Sequence, residues 1–165
     1  MNDWPASRHL GEVYDALYFS LAQGAARASS DAFVVRLHEA SRAFGALALE
    51  VRDDEEGVRD ALVTALIENS LAEDATGALT LYALAMVIGP RLLVTLRDYL
   101  EIETDEAHRR VLAHGSDVVV GEIWAVGATV ANEEPLDDPA WAHAARALVE
   151  VLDAAGMAES LGRRA

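Results

Sequence analysis

Leu10, Tyr14, Leu17 and Leu21 recur at intervals of four, three and four, the spacing of one helix face. They predict a first helix over about residues 7–27, with Ser7 as its N-cap. Phe33, Leu37, Ala40, Phe44, Leu47 and Val51 then alternate by four and three without a slip. A second helix over about residues 31–52 follows, capped by Ser30. Such an apolar seam packs against one or two neighbouring helices, and two chains could share it as a dimer. A third segment begins at Asp53-Asp54-Glu55-Glu56, where Asp53 and Glu56 have capping-box spacing. Its apolar residues, Val58, Leu62, Val63, Leu66, Ile67 and Leu71, spread around more than one face, as in a helix buried on two sides.

The fourth segment, over about residues 76–99, contains the run ATGALTLYALAMVIGP from Ala75 to Pro90, which carries no charge. A membrane-spanning helix needs roughly 20 apolar residues, and this run is shorter. It reads as a central helix that its neighbours surround. Gly89-Pro90 predicts a kink or break, because proline lacks an N–H and clashes with the preceding turn. A fifth helix over about residues 104–132 has Thr104 as cap, with Asp105 and Glu106 opposing the positive end of the dipole. Leu112, Val119, Ile123, Val126 and Val130 form its core line. Val118-Val119-Val120 leaves a short strand as the alternative there. Gly115, Gly121 and Gly127 suggest close approach of another backbone, or a break near Gly115. Asp138-Pro139 starts a sixth helix that Gly156 ends near residue 155.

With no repeat, low-complexity tract or dividing linker, the expected fold class is all-α. Residues 1–165 form a single helical domain: a five- or six-helix bundle around a kinked central apolar helix. Residues 1–6 and 157–165 are its frayed ends. A chain of 165 residues is one domain long and can build a core without staples.

Composition narrows the chemistry. The chain has no cysteine, which excludes disulfides, thiolate metal sites and cysteine nucleophiles. All thirteen basic residues are arginine, so Schiff-base and phosphate-loop lysines are excluded too. A formal net charge of −15 repels nucleic-acid backbones and anionic membrane surfaces. The N-terminal residues MNDWPASRHL lack the basic start and apolar core of a signal peptide, so the expected compartment is the cytoplasm.

The acidic clusters Asp53 to Glu56, Glu101 to Glu106 and Glu133 to Asp138 each lie at or before a predicted helix start, where carboxylates cap amides. None has the spacing of a calcium loop. No Glu-x-x-His or His-Glu-x-x-His occurs among His9, His38, His108, His114 and His143, so neither metal nor cofactor is implied. His108, Gly115 and Glu122 are seven apart and share a face if the fifth helix is continuous. Glu122 is the only charge between Val118 and Asn132. Buried, it would be a general acid/base candidate; otherwise it points outward or pairs with an arginine such as Arg91. The kink is the place for a pocket, lined by Tyr82, Met86, Arg91 and Trp124, with Arg91 holding an anion or a neighbour's carboxylate.

Arg109-Arg110-Val111-Leu112-Ala113-His114 resembles the Arg-x-x-x-x-His motif of the HEPN family of helical-bundle ribonucleases. The resemblance covers six residues and implies that Arg109 and His114 lie near a phosphodiester, with two chains combining their sites. Arg110 departs from the Asn or His that commonly follows the arginine.

Three functions follow in order. The first is a non-catalytic helical binding or assembly module, a homo-oligomer (dimer) or the receptor of a protein partner. The second is a small-ligand-binding bundle using the kink pocket. The third is a HEPN-like ribonuclease using Arg109 and His114.

Overall fold

The computed structural model describes residues 4–51, 77–130 and 139–157. Among them the fold is an all-helical bundle of five helices, one of them bent. They are α1 (Pro5–Arg27), α2 (Asp31–Val51), α3 (Ala78–Ile102), α4 (Glu106–Val130) and α5 (Pro139–Ala154). The acidic run at Asp53, the third predicted segment, the Glu133–Asp138 cluster and the tail after Met157 lie outside the described residues. The chain divides into two compact units, Met1–Gly77 and Ala78–Ala165.

In the first unit α1 and α2 form an antiparallel hairpin. The Ser7 hydroxyl donates to the Val51 carbonyl, the Tyr14 and Phe44 rings meet, and the Ser41 hydroxyl donates to the Tyr18 carbonyl. The predicted seam of α2 is buried at all six positions, and Leu10, Val13, Tyr14, Leu17 and Leu21 of α1 are buried as well. The seam's apolar surface is therefore spent inside the chain, and the second-copy role expected of it has no free surface there. Two further expectations are corrected. α1 begins at Pro5, whose missing N–H costs nothing in a first turn, with Trp4 at the N-cap. Ser7 is thus an interior residue that tethers the end of α2 rather than a cap, and Ala6 is buried instead of frayed. Burial pushes the Tyr14 phenol above its ordinary pKa, and the nearby charge of Glu50 pushes it further.

In the second unit α3 and α4 run antiparallel, joined by Glu103 to Asp105. The Tyr82 hydroxyl donates to the Val130 carbonyl at one end, and Arg109 reaches Leu100 at the other. The kink predicted at Gly89-Pro90 is present, and its form is a π-helical turn over Leu84–Ile88. Pro90 has no N–H to give, and its ring would strike a carbonyl of a regular α turn. The wider turn resolves this: the Gly89 N–H donates to the Leu84 carbonyl, five residues back, and the helix continues to Ile102. The sheath around this segment is incomplete, because Met86 is 66% exposed. α4 is continuous through Gly115 and helical at Val118-Val119-Val120, which removes the strand alternative and the break. Its cap is Asp105, not Thr104, since the Asp105 carboxylate accepts the His108 N–H at 3.1 Å.

Gly89 and Gly127 make opposite demands. A Cβ at Gly89 would lie 2.6 Å from Ile123 Cγ1 and 2.7 Å from the Leu84 carbonyl oxygen. At Gly127 nothing lies within 4 Å. Alanine is the better helix former by about 1 kcal/mol, so Gly127→Ala is expected to stabilise by about 0.5–1 kcal/mol. Gly89→Ala is expected to destabilise by about 1–3 kcal/mol through overpacking. Urea midpoints read by circular dichroism check both signs; a stabilised Gly89→Ala would refute the tight α3–α4 approach.

By length and mean hydropathy, 1.8 and 1.2, both α3 and α4 could cross a membrane. Core helices of water-soluble proteins meet the same criteria, and α3 is mostly covered inside the protein in the manner of a core helix.

Candidate functional site

The kink places Arg91 in the first turn after the proline, where its side chain is buried. Burying a guanidinium requires partners for its charge and its N–H groups. Nη1 donates to Asp153 Oδ1 at 2.5 Å and to the Met157 carbonyl at 3.0 Å. Both partners come from the end of α5, and local sequence sets that end. Gly156 adopts φ +76, which only glycine accepts without strain. This lets the Met157 N–H reach the Leu152 carbonyl and the Gly156 N–H reach the Asp153 carbonyl, the paired bonds of a Schellman ending. Leu152 and Met157 are both buried beside it. Met157, expected to begin a frayed tail, is instead part of the core.

The four residues proposed for a kink pocket occupy two settings. Arg91 is engaged by α5, and Tyr82 is half-buried, its hydroxyl on Val130 and its ring 6.0 Å from that of Trp141. Met86 and Trp124 are on the surface, Trp124 being 76% exposed. Of the alternatives for Arg91, the structure realises the neighbour's carboxylate.

Arg109 is likewise engaged. Its Nη1 donates to the Leu100 carbonyl at 2.6 Å and the Glu103 carbonyl at 2.8 Å, which completes the C-terminal end of α3 and places a cation at the negative pole of that helix. His114 is exposed, five residues on, and so well around the helix from Arg109. Arg110 is exposed and pairs with Glu106 at 3.8 Å. Glu122 is half-buried on a continuous helix, so it shares a face with His108 and Gly115 as expected. Fourteen residues put His108 and Glu122 about 21 Å apart along α4, too far to act on one bond. The His108 Nδ1 lies 3.6 Å from Glu103 Oε1 instead.

The acidic residues at the α3–α4 turn perform capping. Glu103 Oε1 accepts the Thr104 and Asp105 N–H groups, and the His108 N–H holds the Asp105 carboxyl below its usual pKa range. Among the described residues no three His, Asp or Glu side chains gather where a metal ion would be held.

What sequence reasoning missed is the outer face of α4. Over the apolar stretch of α4 only 22% is buried, against 61% in α3. Ala113, His114, Asp117, Val120, Gly121, Trp124 and Ala128 are all exposed, and helical spacing puts them on one face. The signal was available: α4 carries apolar residues at this second spacing as well as along its core line. Trp124, expected to line the kink pocket, stands on this exposed face instead.

No protein-family model, curated protein or solved structure matches the chain, so the likeness of Arg109 to His114 to a ribonuclease motif rests on those six residues alone.

Proposed function

We propose that the protein is a non-catalytic helical assembly module whose binding surface is the outer face of α4. One observation carries this reading: α4 has an apolar stretch of mean hydropathy 1.2 of which only 22% is fully buried, and Trp124 is 76% and Val120 41% exposed on it. Water penalises a contiguous apolar face, and exposed aromatic residues of this kind are typical anchors of protein interfaces. The arginines named for ligand or phosphodiester chemistry support the same reading from the other side. Arg91 holds the end of α5 and Arg109 the end of α3, so using either on a ligand would release a helix terminus.

Size-exclusion chromatography with light scattering over the micromolar range tests the reading. The expected mass rises with concentration from 17.7 kDa toward twice that value. Trp124→Glu, which places a carboxylate on the face, is expected to remain at the monomer mass. A parent protein that stays monomeric throughout would overturn self-assembly.

A further inference from the structure

We infer that Met86 is a modification site of the folded protein, where a peroxide converts the thioether to the sulfoxide, and that Arg91 guards Met157 from the same reaction. The chain holds three methionines and no cysteine, so no thiol competes for the oxidant. The structure describes two of the three, in opposite settings. Met86 lies in the π turn of α3 and is 66% exposed, although Ala85 and Ile88 of the same turn are buried. Met157 has no exposed surface. Its N–H donates to the Leu152 carbonyl, and its own carbonyl accepts from Arg91.

The chemistry separates the two positions. A lone pair on sulfur attacks one oxygen of hydrogen peroxide. The S–O bond forms as the O–O bond breaks, and the second oxygen leaves as water. Sulfur gives up two electrons and the peroxide takes them. The reaction needs room for the oxidant at sulfur and solvent for the polar S–O group that results. Met86 supplies both, so its sulfoxide forms with the helices in place. At Met157 the oxidant has no path, and the new oxygen would be buried in an apolar setting. Met157 therefore reacts only when the end of α5 opens. Arg91 acts on that opening through the Met157 backbone, without touching sulfur, because its bond to the carbonyl is one of the two that hold the residue in place. At Met86 an exposed apolar side chain becomes a polar, chiral one, and sulfoxide reductases can restore the thioether.

The test treats the folded protein with dilute hydrogen peroxide, then digests quenched samples with trypsin for mass spectrometry. The arginines place Met86 in the peptide of residues 60–91 and Met157 in that of residues 147–163, so each is read by itself. Met86 is expected to gain one oxygen at a rate within about threefold of free methionine, and Met157 at least about tenfold more slowly. Circular dichroism is expected to stay unchanged while Met86 is converted. Equal rates at the two positions would overturn the inference, and so would helix loss in step with Met86 oxidation. Met86→Leu is expected to leave residues 60–91 without added oxygen; uptake there as fast as before would place the reaction on another residue. Arg91→Leu is expected to speed Met157 oxidation about tenfold and to leave Met86 unchanged. Urea below the unfolding midpoint makes the same comparison on the parent protein, with Met157 accelerating and Met86 constant. A Met157 rate that neither treatment moves would overturn the guarding role of Arg91.

Discussion

Phe44→Ala is expected to lower the unfolding free energy by about 3–5 kcal/mol, the cost of truncating a fully buried aromatic side chain. Phe44 has no exposed surface, and its ring stands 6.3 Å from that of Tyr14 at an angle of 33°. Leu37 and Ala40, on the same face of α2, are buried as completely, and Leu47 nearly so. α1 cannot collapse into the gap, because Ser7 on Val51 and Ser41 on Tyr18 fix the hairpin on either side of it. Two terms therefore add: lost transfer free energy and an unfilled cavity. A domain holds only about 5–15 kcal/mol in total, so this substitution removes a large part. Urea unfolding should show a lower midpoint at unchanged slope. Leu49→Ala, at an exposed position on the same helix, should change stability by less than about 0.5 kcal/mol. Equal effects at the two positions would mean that the seam is not the core.

Arg91→Met is the second large effect, at about 2–4 kcal/mol. The replacement keeps the apolar stem and deletes the guanidinium. Asp153 can turn to water, since half of its side chain is already exposed. The Met157 carbonyl cannot, because its bond to Arg91 is buried. Most of the loss thus comes from an orphaned carbonyl at the end of α5, with the bond to Asp153 adding less. Asp153→Asn, which keeps an acceptor opposite Arg91, should cost about 1 kcal/mol or less. Hydrogen exchange locates the effect: amides of α5 near Leu148 and Leu152 should lose protection first, while α2 keeps its own. Uniform loss, or none, would refute the account of Arg91 as the tether of α5.

The elements were legible wherever a local rule decides them. The four-three alternation of α2 identified all six seam residues, and Gly156 marked the end of α5 to within a residue. Gly89-Pro90 marked the bend, because the steric conflict of proline lies within one turn of its own chain. The site was less legible. Arg91 was recognised as a residue needing a partner, yet its partners lie 62 and 66 residues further along. Arg109 and His114 form a motif in sequence, but Arg109 is drawn to the end of α3 by carbonyls that no motif displays. Gly121 and Gly127 suggested a close neighbour, whereas both have open space where a side chain would begin.

By itself the sequence determined the all-helical class, the helix faces and most of the starts and stops. Those follow from side-chain periodicity, capping groups and backbone freedom, which act over four or five residues. Only the tertiary structure decided that the seam of α2 is consumed by α1, that Pro90 is accommodated by a π turn, that both candidate arginines are bound by the chain's own helix ends, and that the second face of α4 remains open. Apolar periodicity says that a face needs cover. What supplies the cover, and which carbonyl a guanidinium reaches, depends on contacts between distant segments that no local rule contains.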